Sequence, residues 1–234
     1  MTTDRQSPKK IGKKPWPTKM AMEQVYSDKL WGGPQYDYYS GSGSHQPELV
    51  LPYIEVVREF LNSFEHPLSV ADLGCGDFNV GKALVEHTSS YTAVDIVEDL
   101  IERNKKLFQA DHLSFHCLDI ANDSLPHADC ALLRQVLQHL SNAEVQSIVE
   151  KLTRYKYVIL TEHVPHGDFD PNLDIISGQG IRLKKQSGID LLAPPFCFKA
   201  KSAEHILSLD LGKQGGLIVT TLFSAEPQLF NPHE

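Results

Sequence analysis

The sequence has few of the residues that cross-link a chain or anchor it in a membrane. Its four cysteines lie far apart in 234 residues and form no C-x-x-C pair. No stretch approaches the ~18 apolar residues of a transmembrane helix, and the N-terminus lacks the apolar run of a secretory signal. We therefore expect free thiols in a reducing compartment, no zinc centre, no membrane span and a cytoplasmic location.

Charge is distributed unevenly along the chain. Residues 1–19 carry six lysine and arginine residues against one aspartate, whereas the whole chain has a net charge of −8. The rest of the chain is therefore acidic, while nucleic-acid affinity normally depends on lysine and arginine contacts to phosphates. We expect no direct nucleic-acid binding, and we interpret residues 1–19 as a disordered basic tail.

Helical periodicities and short apolar runs alternate through the middle of the sequence. Helices are predicted at 47–64, 79–87, 97–108 and 142–154, the last capped by Ser141 or Asn142, and strands at 68–74, 91–96, 113–120, 129–134 and 155–162. This alternation predicts a mostly parallel sheet with helices on both faces, which is an open doubly wound α/β fold.

The pattern changes after residue 162. Residues 163–198 are rich in Gly, Pro and Asp and far longer than a usual connection, so we interpret them as an insertion that forms a lid or a binding loop. Two β-rich runs, 204–211 and 217–225, then flank a Gly-rich turn and predict an antiparallel hairpin. We divide the chain into the tail, a segment at 20–46 that covers the cofactor, and one domain at 47–234.

A glycine-rich loop, ADLGCGDFNVG at 71–81, follows the first predicted strand. It matches a dinucleotide fingerprint only in part, because Asn79 stands where the third glycine belongs. Asp95 lies 19 residues after Gly76, at the end of the second strand, where a carboxylate binds the hydroxyls of an adenosine ribose. That feature suits a dinucleotide and an adenosyl sulfonium equally.

The acids beside the glycines separate these two ligands. Asp77 lies where a pyrophosphate would sit at a helix N-terminus, and two like charges about 4 Å apart repel by roughly 1 kcal/mol even in water-like surroundings. S-adenosylmethionine has a sulfonium, an ammonium and no phosphate, so Asp72 and Asp77 suit it. The alternative role for Asp77 is a helix cap.

Four motifs, in order, resemble those of class I S-adenosylmethionine-dependent methyltransferases. They are VADLGCGDF at 70–78, VDI at 94–96, CLDIANDSLPHAD at 117–129 and ALLRQVLQHLS at 131–141. The resemblance covers residues 45–162 closely and implies a Rossmann-like, seven-stranded sheet that is parallel with a terminal antiparallel hairpin. Runs at 31–44 and 174–196 resemble, more loosely, a poorly characterised bacterial branch of the class. This second resemblance implies no particular substrate.

The resemblance implies a site for S-adenosylmethionine. The glycine turn would face the methionine half, Asp95 the ribose and Ile96 the adenine face, while Asp119 would accept from the adenine amine. A turn residue is the alternative for Asp119. The full set of expected cofactor residues is Tyr39, Ser40, Gly41, Asp72, Gly74, Cys75, Gly76, Asp77, Phe78, Asp95, Ile96, Asp119, Ile120, Arg134 and Gln135.

The aromatic and serine-rich run at 36–45 is predicted to close over that cofactor. Its glycines and serines allow backbone amides to meet a carboxylate such as the methionine tail, and the ring of Tyr39 can shield a sulfonium. A flexible linker is the alternative interpretation of this run.

Candidates for catalysis follow the fourth predicted strand. Arg134 and Gln135 end that strand, beneath the expected methyl group, where polar residues commonly contact ligands. His139 can take a proton from an acceptor oxygen, although a structural histidine held by hydrogen bonds is the alternative. The acids and histidines of 162–170 suggest a metal, but their spacing matches no metal motif, so we expect a solvated loop and no metal.

The expected activity is methyl transfer by in-line displacement, in which positioning supplies most of the rate enhancement. The chain lacks the N-P-P-Y or D-P-P-Y run of DNA amino-methylating enzymes and the Pro-Cys pair of cytosine enzymes. We expect a small-molecule acceptor first and a protein side chain second. A non-catalytic scaffold that keeps the cofactor fold and a nicotinamide oxidoreductase are the alternatives.

Overall fold

A seven-stranded sheet forms the centre of the computed structural model, which describes residues 16–213 and 215–225. The helices and strands along the chain are α1 (Thr18–Ser27), α2 (Pro47–Asn62), β1 (Ser69–Leu73), β2 (Ser90–Asp95), α3 (Glu98–Leu107), β3 (Leu113–Cys117), β4 (Cys130–Arg134), α4 (Asn142–Leu152), β5 (Tyr157–Val164), β6 (Ala200–Asp210) and β7 (Leu217–Ala225).

The strand order is β3-β2-β1-β4-β5-β7-β6. Strands β1 to β5 pair in parallel, and β7 lies antiparallel to both β5 and β6. This arrangement confirms the predicted Rossmann-like sheet and its terminal hairpin. It also brings the carboxyl ends of β1, β2 and β4 to one edge, where open α/β sheets bind their ligands.

Apolar side chains of β1 and β4 alternate between two cores. Leu73 and Leu133 pack with Val145 of α4 on one face. Val70 and Leu132 belong to the core on the other face, which contains the inner side of α2. A central strand with both faces covered needs a continuous apolar run, and the sequence CALLR of β4 provides it.

Helix α4 begins with a capping box, and its cap is Ser141, one of the two residues that the sequence predicts. The hydroxyl of Ser141 accepts a hydrogen bond from the Glu144 amide at 3.4 Å, and the Glu144 carboxylate accepts one from the Ser141 amide at 3.2 Å. This reciprocal pair satisfies two amides at the helix start. It places the beginning of α4 beside the sheet edge described above.

The predicted helix at 79–87 is wrong. The chain makes two 3-10 turns there, Gly81–Ala83 and Val85–His87. A β-carbon at residue 81 would press against Phe78 and Asp72, so Gly81 is needed for close packing, and glycine disfavours a continuous helix. The glycine-rich loop consequently does not lead into an α-helix.

The N-terminal segment differs in part from its prediction. Helix α1 begins at Thr18, so the last two residues of the predicted tail are helical, and residues 1–15 lie outside the described residues. Every helix in the described part of the chain is too short or too polar to cross a lipid bilayer. The four cysteines are free thiols, as the sequence predicts.

Candidate active site

A cavity of about 710 Å³ lies at the carboxyl ends of β1, β2 and β4. Residues 74–76 of the glycine loop form its floor together with Asp95 and Gln135. Two separate segments form its roof: parts of the N-terminal segment between residues 18 and 44, and residues 179–184 of the insertion. The volume lies within the range of ~300–1,000 Å³ that is usual for small-molecule sites.

Two glycines of the loop have backbone conformations that other residues rarely adopt. Gly74 has φ +91° and Gly76 has φ +55°. A β-carbon would collide with Val136 at the first position and with the Ser40 hydroxyl at the second. Glycine is therefore required for the tight turn and for the close approach of the N-terminal segment.

Asp95 lies at the centre of the cavity floor and is 9% exposed. Its carboxylate accepts hydrogen bonds from the amide of Gly76 at 3.0 Å and from the amide of Val97 at 3.1 Å. Burial raises its pKa, while these amides favour the charged form. The two amides orient the carboxylate, so it is held ready to accept further hydrogen bonds from a ligand.

The predicted adenine residues lie on one side of the same cavity. Ile96, Asp119 and Ile120 all line it. The Asp119 carboxylate already accepts from the Ala121 amide at 2.9 Å and from the Asn122 side chain at 2.8 Å. Asp119 therefore shapes the turn after β3, as the alternative interpretation holds, and also contributes to the cavity wall.

The N-terminal segment reaches the cavity where the sequence predicts it. Tyr39, Ser40 and Gly41 all line the wall, and so does Cys75 of the glycine turn. The Ser40 hydroxyl accepts a hydrogen bond from the Asp77 amide at 2.8 Å and contacts the Tyr26 hydroxyl at 3.0 Å. The run at 36–45 is thus bound to the domain in this structure rather than being a free linker.

Phe78 is one of three predicted cofactor residues that lie outside this cavity. Its φ of +63° turns the ring into the core, where it packs on Tyr91, Phe108 and Phe115 and is fully buried. A motif read only along the sequence does not reveal this reversal of direction. Phe78 is therefore a core residue and does not line the cavity.

The two acids of the loop, Asp72 and Asp77, line a separate space of about 30 Å³ beneath the glycine turn. Asp72 accepts from the Tyr91 hydroxyl at 2.9 Å, and burial raises its pKa to about 7. Asp77 accepts from the Ser40 amide at 3.0 Å and contacts His45 at 2.5 Å. In this structure both carboxylates bind protein groups and lie outside the larger cavity.

Arg134 lines the cavity, but its guanidinium is committed to the N-terminal half of the chain. It donates to the Gly43 carbonyl at 2.7 Å and lies 4.9 Å from the ring centre of Tyr53. Gln135 follows with φ +57° and lines the cavity next to Gly43. The pair therefore shapes the wall at the end of β4 and ties the covering segment to it.

His139 lines the cavity as a neutral imidazole. Burial lowers its pKa to about 4, and its Nδ1 lies 3.2 Å and 3.3 Å from the carbonyl oxygens of Gly178 and Gly180. Because these partners only accept, Nδ1 carries the proton and donates. The Trp31 ring lies 5.3 Å from the imidazole, so His139 contacts both segments of the roof.

Sequence reasoning missed a buried pair, Glu162 and Arg182, that supports the turn after β4. Glu162 accepts from the amides of Leu137 and Gln138, both at 3.0 Å, and burial raises its pKa to about 8. Arg182 donates to the carbonyls of Leu137 at 2.9 Å and Leu140 at 2.7 Å. These partners are distant in sequence, so no local pattern signals them.

The two histidines of the 162–170 run, His163 and His166, lie against the end of β6 and the turn that leads to β7. His163 contacts the Gly215 carbonyl through Nε2, and His166 lies 3.0 Å from the carboxylate of Asp210. Among residues 16–213 and 215–225, no group of three or more His, Cys, Asp and Glu side chains has the geometry to hold a metal ion.

Residues 71–155, which contain the glycine turn, Asp95 and the turn after β4, match a family model described as a methyltransferase domain. This stretch of the chain is similar to a methyltransferase domain. The match covers the cofactor motifs and leaves out the N-terminal segment, the insertion and the final hairpin. A search of the curated proteins found no match for the sequence.

Solved structures share the fold of this chain at low sequence identity. The N-methyltransferase NodS from Bradyrhizobium japonicum WM9, in complex with S-adenosyl-L-homocysteine, is 12% identical, with 88% of this chain and 98% of that chain covered and a TM-score of 0.64. Magnesium protoporphyrin IX methyltransferase from Synechocystis PCC 6803, also with S-adenosyl-L-homocysteine bound, is 14% identical. The match covers 90% of this chain and 100% of that chain, and the TM-score is 0.57.

A third structure was solved with a methyl acceptor. The 1,6-didemethyltoxoflavin-N1-methyltransferase from Burkholderia thailandensis, with 1,6-didemethyltoxoflavin and S-adenosylhomocysteine bound, is 16% identical. The match covers 89% of this chain and 87% of that chain, and the TM-score is 0.56. The chain therefore has the fold of these proteins over most of its length.

Proposed function

We propose that the protein transfers the methyl group of S-adenosylmethionine to a small-molecule acceptor. The observation that carries this proposal is the roofed cavity of about 710 Å³, which has Asp95 and the glycine turn on its floor. Two segments of the same chain cover it, which favours a ligand small enough to be enclosed. A cavity of this kind suits a cofactor and a compact acceptor together.

The cofactor is proposed to lie along the floor from β3 to β4. Asp95 binds the ribose hydroxyls, Ile96 and Ile120 pack on the adenine, and Asp119 accepts from its amine. The methionine half lies over the glycine turn, where Ser40 and Gly41 approach. Tyr39 also lines the cavity, and its ring shields the sulfonium.

The course of the chain after the glycine turn favours S-adenosylmethionine over a dinucleotide. A pyrophosphate binds where several free amides point out of the first turn of an α-helix. Here the loop continues into 3-10 turns of three residues each, and Phe78 turns inward. The Asp77 carboxylate accepts a hydrogen bond from the Ser40 amide and does not line the cavity.

The chemical step is a displacement in which the acceptor's lone pair forms a bond to the methyl carbon as the sulfonium carbon–sulfur bond breaks. S-adenosylhomocysteine leaves, and the acceptor's proton passes to water or buffer. We propose that His139 and Arg134 position the walls of the cavity, because a pKa of about 4 makes His139 a weak base and Arg134 is bound to Gly43. In-line positioning is then the main contribution of the protein.

Calorimetric titration with S-adenosylhomocysteine and with NAD tests the cofactor. We expect S-adenosylhomocysteine to bind and Asp95→Ala to weaken it by about 1–3 kcal/mol, because charge-assisted hydrogen bonds are lost. Asp99→Ala, an exposed acid on α3, serves as the control and should bind normally. Binding of NAD without S-adenosylhomocysteine would reject the proposal, and unchanged affinity in Asp95→Ala would remove Asp95 from the site.

Radiolabelled transfer tests the acceptor. A cell extract is separated by ultrafiltration into metabolites and macromolecules, and each fraction is incubated with the protein and methyl-labelled S-adenosylmethionine. We expect label in the metabolite fraction. Label in the macromolecular fraction alone would favour a protein acceptor, and binding without any transfer would favour the non-catalytic scaffold.

A further inference from the structure

Charged residues of the cavity wall differ in sign and in their position along the sheet. Asp95 ends β2 and Asp119 follows β3, at one end of the strand order. Glu144 of α4 also lines the cavity, and its carboxylate accepts a hydrogen bond from the Ser177 hydroxyl of the insertion. Asp95 and Asp119 therefore lie in the half proposed for adenosine.

The opposite half of the wall contains positive charge. Arg134 ends β4, and Lys184 lies in the 3-10 turn Arg182–Lys185, which packs beside β5. The nearest acid along β5, Glu162, is buried, and its two oxygens accept from the amides of Leu137 and Gln138. This half, beyond the glycine turn, is where an acceptor must lie.

Lys184 differs from the other charged residues of the wall because its ammonium is free. Asp95, Asp119 and Arg134 all bind backbone groups, and Glu144 binds the Ser141 capping group. Among the described residues, Lys184 makes no hydrogen bond and no salt bridge, and it is exposed at the opening of the cavity. Its charge is therefore available to a ligand.

The backbone that presents Lys184 is held in place. The Arg182 guanidinium, fully buried, donates to the carbonyls of Leu137, Leu140 and Leu173. The neighbouring Lys185 is also anchored, since its ammonium donates to the Asp174 carbonyl at 2.8 Å, and it does not line the cavity. The two adjacent lysines thus have different environments, which provides a matched control.

We propose that the methyl acceptor is a small organic anion and that the Lys184 ammonium binds its carboxylate. This inference rests on the proposed function and specifies its substrate class. The Trp31 and Tyr39 rings line the same cavity and favour a planar acceptor. A lysine recognises a carboxylate as a compact point charge, which suits a residue at the cavity opening.

Matched acids and amides test this inference. Protein saturated with S-adenosylhomocysteine is titrated with benzoate and benzamide, salicylate and salicylamide, and indoleacetate and indoleacetamide. We expect the acid of at least one pair to bind about fivefold more tightly than its amide, as a partly exposed ion pair allows. Lys184→Met should abolish this preference, and Lys185→Met should retain it.

Two results would overturn the inference: no acid preference in any pair, or a preference that persists in Lys184→Met. Binding of S-adenosylhomocysteine is measured first in all three proteins, so failure of the cofactor proposal is seen separately. A protein that binds S-adenosylhomocysteine normally but shows no acid preference retains its proposed function and loses only the anionic acceptor.

Discussion

At the scale of single residues, Asp72 shows how a binding motif also serves the core. The residue is 8% exposed, its carboxyl group accepts a hydrogen bond from the Tyr91 hydroxyl, and burial raises its pKa to about 7. An unfolded aspartate has a pKa of about 3.9. Between these two values the unfolded chain loses a proton that the folded protein retains, so the free energy of unfolding falls as the pH rises.

Asp72→Asn should remove this pH dependence. We expect wild-type protein to lose up to about 4 kcal/mol from Asp72 between pH ~4 and pH ~7, and the variant to lose correspondingly less. Urea unfolding of both proteins at several pH values in this window measures the difference. Asp99→Asn, exposed on α3, should leave the slope unchanged. An equal slope in Asp72→Asn and wild type would mean that Asp72 is ionised throughout the window.

At the scale of elements, the turn between β4 and α4 depends on residues from outside the matched domain. Glu162 binds two of its amides, and Arg182 binds two of its carbonyls together with the Asn142 side chain. The turn contains His139, which lines the cavity. The insertion therefore supports the wall of the site as well as its roof.

Arg182→Met should destabilise the protein by about 3 kcal/mol, because it leaves buried carbonyls without donors and Glu162 without a nearby cation. We also expect weaker binding of S-adenosylhomocysteine. Chemical denaturation and calorimetry measure the two effects, and Arg154→Met, an exposed arginine after α4, should change stability by less than about 0.5 kcal/mol. Full stability in Arg182→Met would show that water replaces the guanidinium at these carbonyls.

At the scale of the whole molecule, the two roof segments contact each other above the cavity. The Gln179 side chain donates to the Leu30 carbonyl at 3.5 Å, and a hydrogen bond joins Thr18 of α1 to Glu144 of α4. Such single, partly exposed contacts are weak compared with core packing. We therefore expect the two roof segments to separate for ligand exchange while the sheet stays folded.

Hydrogen exchange should report this opening. S-adenosylhomocysteine is expected to slow amide exchange at 28–46 and 176–184, because a bound ligand gives both roof segments a surface to pack on. Exchange in β6 and β7, away from the cavity, should change little. Protection limited to the glycine loop would instead mean that the roof does not close on the cofactor.

The success of sequence reasoning depended on how local each feature is. Asp95 and Ile120 line the cavity, because each lies near a strand end whose position follows from the alternation of strands and helices. Phe78 and Asp77 do not line it, since Phe78 has a positive φ and Asp77 is bound to residue 40. The roles of Glu162 and Arg182 were not found, because their partners in the turn after β4 are more than 20 residues away.

The hydrogen bonds between residues 40 and 77 limit how the protein can be redesigned. The Ser40 amide donates a hydrogen bond to the Asp77 carboxylate, and the Asp77 amide donates one to the Ser40 hydroxyl. Each residue thus provides hydrogen-bond partners for the other. A chimera that exchanges residues 29–46 for those of another enzyme, to alter the acceptor, breaks this pair unless position 77 is exchanged with it. The roof and the glycine loop should therefore be transplanted as one unit.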